Sequence, residues 1–80
     1  MSSSFESYFY YNIGKKIRYY REQSGLTQEM LSEKLGVNEK YIGHVERCER
    51  FISTKILVRL MEFCQLQPSD FYNFDEVYDY

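Results

Sequence analysis

Leu26 to Arg47, LTQEMLSEKLGVNEKYIGHVER, is the stretch from which the rest of the chain can be read. Thr27 is suited to cap a helix, and Met30, Leu31 and Leu35 recur behind it at helical spacing, which predicts a short helix from about Gln28 to Lys34. Gly36 follows at once, where a left-handed residue ends a helix at no steric cost, and Val37 supplies an apolar anchor just beyond it. Asn38 is suited to cap a second helix with Tyr41, Ile42 and Val45 facing inward. Glu39, Lys40, Gly43, His44 and Arg47 are then expected to face outward. Helices of two to three turns are not stable alone, so the pair must pack on other helices. By periodicity alone this describes any two-helix corner of a small bundle.

The rest of the chain supplies what the pair needs. Eighty residues make one domain, and with 44% hydrophobic residues there is enough apolar material for one small core. Ile13 to Ser24 reads as a helix with Ile13, Ile17 and Tyr20 on its inner stripe and Lys15, Lys16, Arg18, Tyr19, Arg21 and Glu22 around the rest. Ser53 or Thr54 can cap another, in which Ile56, Leu57, Leu60, Met61 and Cys64 form the clearest stripe in the sequence. Gln67-Pro68 starts a short last helix with proline at its first position and Phe71 turned inward.

Both ends are unusual. Residues 1–12, MSSSFESYFYYN, form an aromatic extension with two open readings. The Ser3 and Glu6 spacing and the positions of Phe5, Tyr8, Phe9 and Ile13 allow a helix that runs into the next one. Alternatively the segment is a frayed tail and Asn12 is the true cap. Residues 73–80, NFDEVYDY, are acidic and aromatic at once, a composition expected of a segment that folds back or meets a partner. Residues 13–72 are the expected domain between them.

Several function classes find little support. One His, no recognisable nucleophile, base and carboxylate spacing, and no phosphate-cradling glycine loop argue against an enzyme, and no cofactor or small molecule is indicated. Cys48 and Cys64 do not have metal-ligand spacing and are expected as free thiols, Cys64 as a small core side chain. Cys48, between Arg47 and Arg50, has the surroundings that can lower a thiol pKa, which would suit a redox sensor. No apolar run approaches the roughly 18 residues a membrane span requires, and no basic segment precedes an apolar one at the N-terminus, so a cytoplasmic protein is expected.

Residues 13–72 resemble the helix-turn-helix domain of the Cro/repressor class of regulators, the XRE family. The elements that carry the resemblance are IGKKIRYYRE, LTQEMLSEKLGV, YIGHVER and STKILVRLMEFCQLQPSDFY. It implies an all-α, five-helix, lambda-repressor-like bundle whose third helix, about residues 38–47, enters the major groove of double-stranded DNA. Asn38, Glu39, Lys40 and His44 then stand where the family reads bases: Lys40 suited to guanine O6 and N7, Glu39 to cytosine N4. Thr27 and Gln28, at the start of the second helix, are implied phosphate contacts, as is Lys16 or Arg21 from the first helix. Glu46 is the counterpart of an acid that pairs with a first-helix arginine, here Arg21 or Arg18.

Two departures follow the third helix. The family usually has glycine then lysine where this chain has Cys48 and Glu49. Cys48 must avoid the left-handed conformation or carry a strain of about 1 kcal/mol or more. Glu49 puts an anion where a phosphate-binding cation is usual, leaving Arg47 and Arg50 to replace it.

Charge qualifies the implication. The formal net charge is −2, which would repel phosphate overall. All ten Lys and Arg, however, lie between Lys15 and Arg59, and against the seven acids between residues 13 and 63 they leave a surplus of three positive charges. The expectation is a sequence-specific transcription regulator working as a homodimer through its aromatic termini and fifth helix, with the controller proteins of restriction-modification systems as one subtype. The alternative is a protein-interaction module of the same fold, such as an antitoxin-like partner.

Overall fold

The longest helix, α1, runs Ser4–Gln23 without a break. Of the two readings of the N-terminal segment, the helix is the one observed: Asn12 lies inside α1 and donates to the Tyr8 carbonyl one turn back at 2.8 Å. The structure is a computed structural model that describes residues 4–73. Ser3, half of the expected capping box, and the tail beyond Asn73 lie outside the described residues.

Four shorter helices follow: α2 Gln28–Lys34, α3 Tyr41–Glu46, α4 Thr54–Cys64 and α5 Pro68–Phe71. Among the described residues there is no strand. Local chemistry sets the ends as expected. Thr27 Oγ1 accepts from the Met30 amide and Ser53 Oγ from the Ile56 amide, so both hydroxyls satisfy helix N–H groups that have no internal partner. Pro68 opens α5, whose first turn is closed by a capping box between Gln67 and Asp70.

Ile13, Ile17, Leu31, Leu35, Ile42, Val45, Ile56, Leu57, Leu60 and Phe71 are buried together, with Tyr41, in one core. Its contributors come from all five helices, so no helix pair is stable without the rest. Tyr41 also serves as a polar tie: its hydroxyl accepts from the Ser53 amide at 3.0 Å, fastening the start of α4 to α3.

Lys16 corrects the sequence reading. The helical wheel places it on the outer face, and the family resemblance implies a phosphate contact; in the fold it is 1% exposed. Its Nζ donates to the Asp70 carbonyl at 3.0 Å. The long methylene stem fills core volume while the ammonium satisfies a backbone acceptor at α5. It therefore joins the first helix to the fifth, with its ammonium buried rather than offered to a phosphate.

α2 and α3 end on the same Schellman pattern. After α2, the Gly36 amide donates to Glu33 O and the Val37 amide to Ser32 O; after α3, the Cys48 amide donates to Val45 O and the Glu49 amide to His44 O. The pattern needs a left-handed residue, and Gly36 has φ 75° while Cys48 has φ 62°. Cys48 thus takes the strained option, and its thiol lies 3.7 Å from the Tyr10 carbonyl of α1.

Candidate nucleic-acid interface

The turn between α2 and α3 holds them so that the outer surface of α3 lies beside the start of α2. Ser32, wholly buried on α2, makes the joint. Its hydroxyl donates to the Gln28 carbonyl at 2.9 Å and accepts from the Ile42 amide at 3.1 Å. A first-turn N–H of α3 is thereby satisfied from the neighbouring helix, and α3 cannot slide along α2 without losing that bond. Asn38 acts one step earlier than expected. Its Oδ1 accepts from the Lys40 amide at 2.9 Å, and its carbonyl from the Tyr41 amide, forming an Asx-closed turn that feeds α3 from Tyr41 onward.

Behind the surface lies a half-buried polar network. Arg21 of α1 grips Glu46 of α3 with two bonds, Nε to Oε2 at 2.7 Å and Nη2 to Oε1 at 3.1 Å, while Nη1 donates to the Leu26 carbonyl. The side chains are 12% and 5% exposed, so this is a fork-to-fork pair largely removed from water. It realises the pairing expected of Glu46, and it takes Arg21 out of contention for phosphate. Arg18 instead pairs with Glu22 on the exposed face of α1 at 2.7 Å.

Gln28 joins the same network. Its Nε2 donates to Glu46 Oε1 at 3.0 Å. With its nitrogen turned to Glu46, Gln28 brings its carbonyl over α3. Gly43, expected outward, is buried: a Cβ there would lie 2.9 Å from Gln28 Oε1 and 3.1 Å from Arg47 Nη1, so these two side chains cover it.

In front of the network, Gln28, Glu29, Glu39, Lys40, Gly43, His44 and Arg47 line one shallow, mostly polar depression. Glu39 and Lys40 are exposed there, with His44 partly so. The structure thus gathers Glu39, Lys40 and His44 on one surface, while Asn38, also exposed, lies in the turn before α3 and does not line the depression. Arg47 and Arg50 are exposed beyond the end of α3. Arg50 lies over the Tyr41 ring at 4.7 Å, and Arg47 Nε is 3.3 Å from Glu49 Oε2. Glu49 therefore not only lacks positive charge but also sits on the nearest cation.

The thiol does not fit a sensor. Partial burial pushes the Cys48 pKa up, opposite to the shift that flanking arginines would give. Burial raises that of Cys64 as well, with a Ser24 hydrogen bond acting the other way. Among the described residues no three His, Cys, Asp or Glu side chains gather into a metal-binding group, and no helix is long and apolar enough to cross a membrane.

This helical arrangement, with α3 held against α2 and α1, has counterparts among known proteins. The helix-turn-helix family model matches residues 17–71. The chain belongs to this family, in its Cro/repressor (XRE) branch. Over 48 residues it is 40% identical to the control protein C.SmaI of Serratia marcescens, an alignment that covers 60% of this chain and 57% of that protein. The chain thus spans little more than half the length of this relative. Among solved structures it resembles the restriction-modification controller protein C.AhdI of Aeromonas hydrophila, with a TM-score of 0.71 and 28% identity over 79% of this chain and 96% of the other. It also resembles an arginine-to-alanine mutant of the restriction-modification controller protein C.Esp1396I, with a TM-score of 0.73 and 28% identity over 86% and 92% of the two chains. Both likenesses extend beyond the two-helix unit to nearly the whole of those folds.

Ser32 and Gly43 are the residues of the interface that sequence reading passed over or misplaced. A serine one turn after Gln28 was a usable signal, because a mid-helix serine commonly bonds the carbonyl four residues back. Its second bond, to Ile42, depends on how two helices cross and has no local signature.

Proposed function

We propose that the protein is a sequence-specific, double-stranded DNA-binding regulator that sets α3 in the major groove. The observation that carries this reading is the single depression in which the start of α2 and the outer face of α3 bring Glu39, Lys40 and His44 together. In this reading Lys40, Glu39, His44 and Asn38 address base edges, and Thr27, Arg47 and Arg50 address phosphates. The half-buried Arg21–Glu46 pair fixes the angle at which α3 is offered. The likeness to restriction-modification controller proteins supports the control of such a system as the regulatory setting.

One recognition helix spans too few base pairs for operator selectivity, and two-fold operators mirror two-fold proteins, so the working unit in this proposal is a homodimer. The surfaces proposed for it are the exposed aromatic side of α1, with Phe5, Tyr8 and Tyr11 more than half exposed, and α5 with the exposed Tyr72 that follows it. Selection from a randomised duplex pool should return a sequence with two-fold symmetry, and sedimentation at tens of micromolar should give twice the chain mass. An enriched site without symmetry, together with a strictly monomeric mass, would refute the dimer. A pool that never enriches would refute the DNA reading and favour a protein-binding module.

A further inference from the structure

The side-chain amide of Gln28 is held in one orientation by its partners. Both oxygens of Glu46 accept from Arg21, so the amide group of Gln28 turns its nitrogen to Glu46 and its carbonyl away. That carbonyl lies where a side chain at position 43 would stand, 2.9 Å from the ideal Cβ position of Gly43. Real Cβ atoms essentially never approach so closely, so a larger residue at 43 would oblige the end of the Gln28 side chain to shift from this position. Gln28 and Gly43 both line the depression on the face of α3. Among that lining, Lys40 and Arg47 present donors, whereas Oε1 of Gln28 is an acceptor of fixed position and, unlike Glu29 or Glu39, without net charge.

We infer that Gln28 is a specificity-determining residue, reading a base through its carbonyl oxygen. Gly43 and Glu46 are the positioning residues that hold it there. An uncharged acceptor in the major groove selects an exocyclic amino group, cytosine N4 or adenine N6, and is mismatched against the keto oxygens of guanine and thymine. A neutral amide also suffers less repulsion from neighbouring phosphates than a carboxylate would, which suits a position at the edge of the groove. The assignment rests on the DNA-binding reading above.

The test uses the full chain and the duplex it selects. At each position of one half-site, the amino-bearing base is replaced by its analogue without the amino group, purine for adenine or 2-pyrimidinone for cytosine. For the native protein, amino removal at one particular position should weaken binding about 5- to 10-fold, within the usual cost of one mismatched contact. For Gln28→Ala the same replacement should cost nothing at that position while leaving the discrimination at other positions in place. Gly43→Ala, which displaces Gln28 without removing it, should lose discrimination at that same position, and the double variant should behave like either single one. A merely structural role would lower affinity evenly across positions. Salt-dependent binding by Gln28→Ala with every native preference retained would overturn the assignment and leave the DNA reading standing. No duplex binding by the native chain at low salt would overturn both. Should Gly43→Ala fail to fold by circular dichroism, Gln28→Ala alone decides.

Discussion

Glu46 and Arg47 are neighbours in the sequence, yet they enter two ion pairs of opposite character. Glu46 turns inward to Arg21, with two bonds, a further donor from Gln28 and side chains 5% and 12% exposed. Arg47 turns outward to Glu49, with one bond at 3.3 Å and side chains 52% and 56% exposed. The same chemical groups therefore have different tasks. The inner pair is largely shielded from water, so it fixes α3 against α1 and α2. The outer pair competes with water and salt, so it is a loose latch that a phosphate can displace. An ion pair in this fold stabilises or yields according to its burial and its number of bonds.

The sharpest way to break the comparison is Glu46→Ala. It leaves Arg21 charged and largely buried and removes the acceptor of Gln28, and unfolding in urea should show a loss of about 3–5 kcal/mol. A chain of this size is ordinarily stable by only about 4–12 kcal/mol, so much of the margin would disappear. A loss below about 1 kcal/mol would put the inner pair in the same class as the outer one.

Between the two pairs in effect comes the residue that follows them. Gly36 and Cys48 end their helices with the same hydrogen bonds, but only Gly36 adopts positive φ without crowding. Cys48→Gly should stabilise the chain by about 1 kcal/mol, less what it loses through the greater freedom of glycine in the unfolded state. Gly36→Ala should destabilise it by a comparable amount. The pair of thermal midpoints checks this, and equal effects of one sign would show that α3 does not end on a strained residue.

The smallest expected stability effect is at the latch. Glu49→Gln should change the unfolding free energy by no more than a few tenths of a kcal/mol, because both partners are half exposed. Its effect should appear in DNA binding instead. With the competing carboxylate removed, affinity at low salt should rise. An affinity equal to that of the native chain would mean that Glu49 does not compete with a phosphate for Arg47.

The parts of this molecule that were legible in the sequence are those governed by neighbours along the chain. The span of α2, the Thr27 and Ser53 caps and Pro68 at the start of α5 follow from rules that act within one helical turn. The Arg21–Glu46 pair was legible for another reason: the family resemblance supplied a contact 25 residues apart that no local rule gives. Lys16 was misread because its partner, the Asp70 carbonyl, lies 54 residues away and turns a nominally outer position into core. Gly43 was misread because helical periodicity places a residue on a face but does not say which side chain of another helix will cover it. The surface of α3 follows the same division. That Glu39, Lys40 and His44 share it follows from helical position, whereas the orientation of Gln28 depends on three helices meeting at Glu46.

Binding of duplex DNA by α3 and its surroundings, through phosphates as well as bases, is read out by the salt dependence of affinity for the selected duplex. If Arg47 and Arg50 of each copy in a dimer neutralise one phosphate apiece, log affinity should fall linearly with log salt with a slope of about −3.6. An affinity that is undetectable at low salt, or that does not fall as salt rises, would contradict the account.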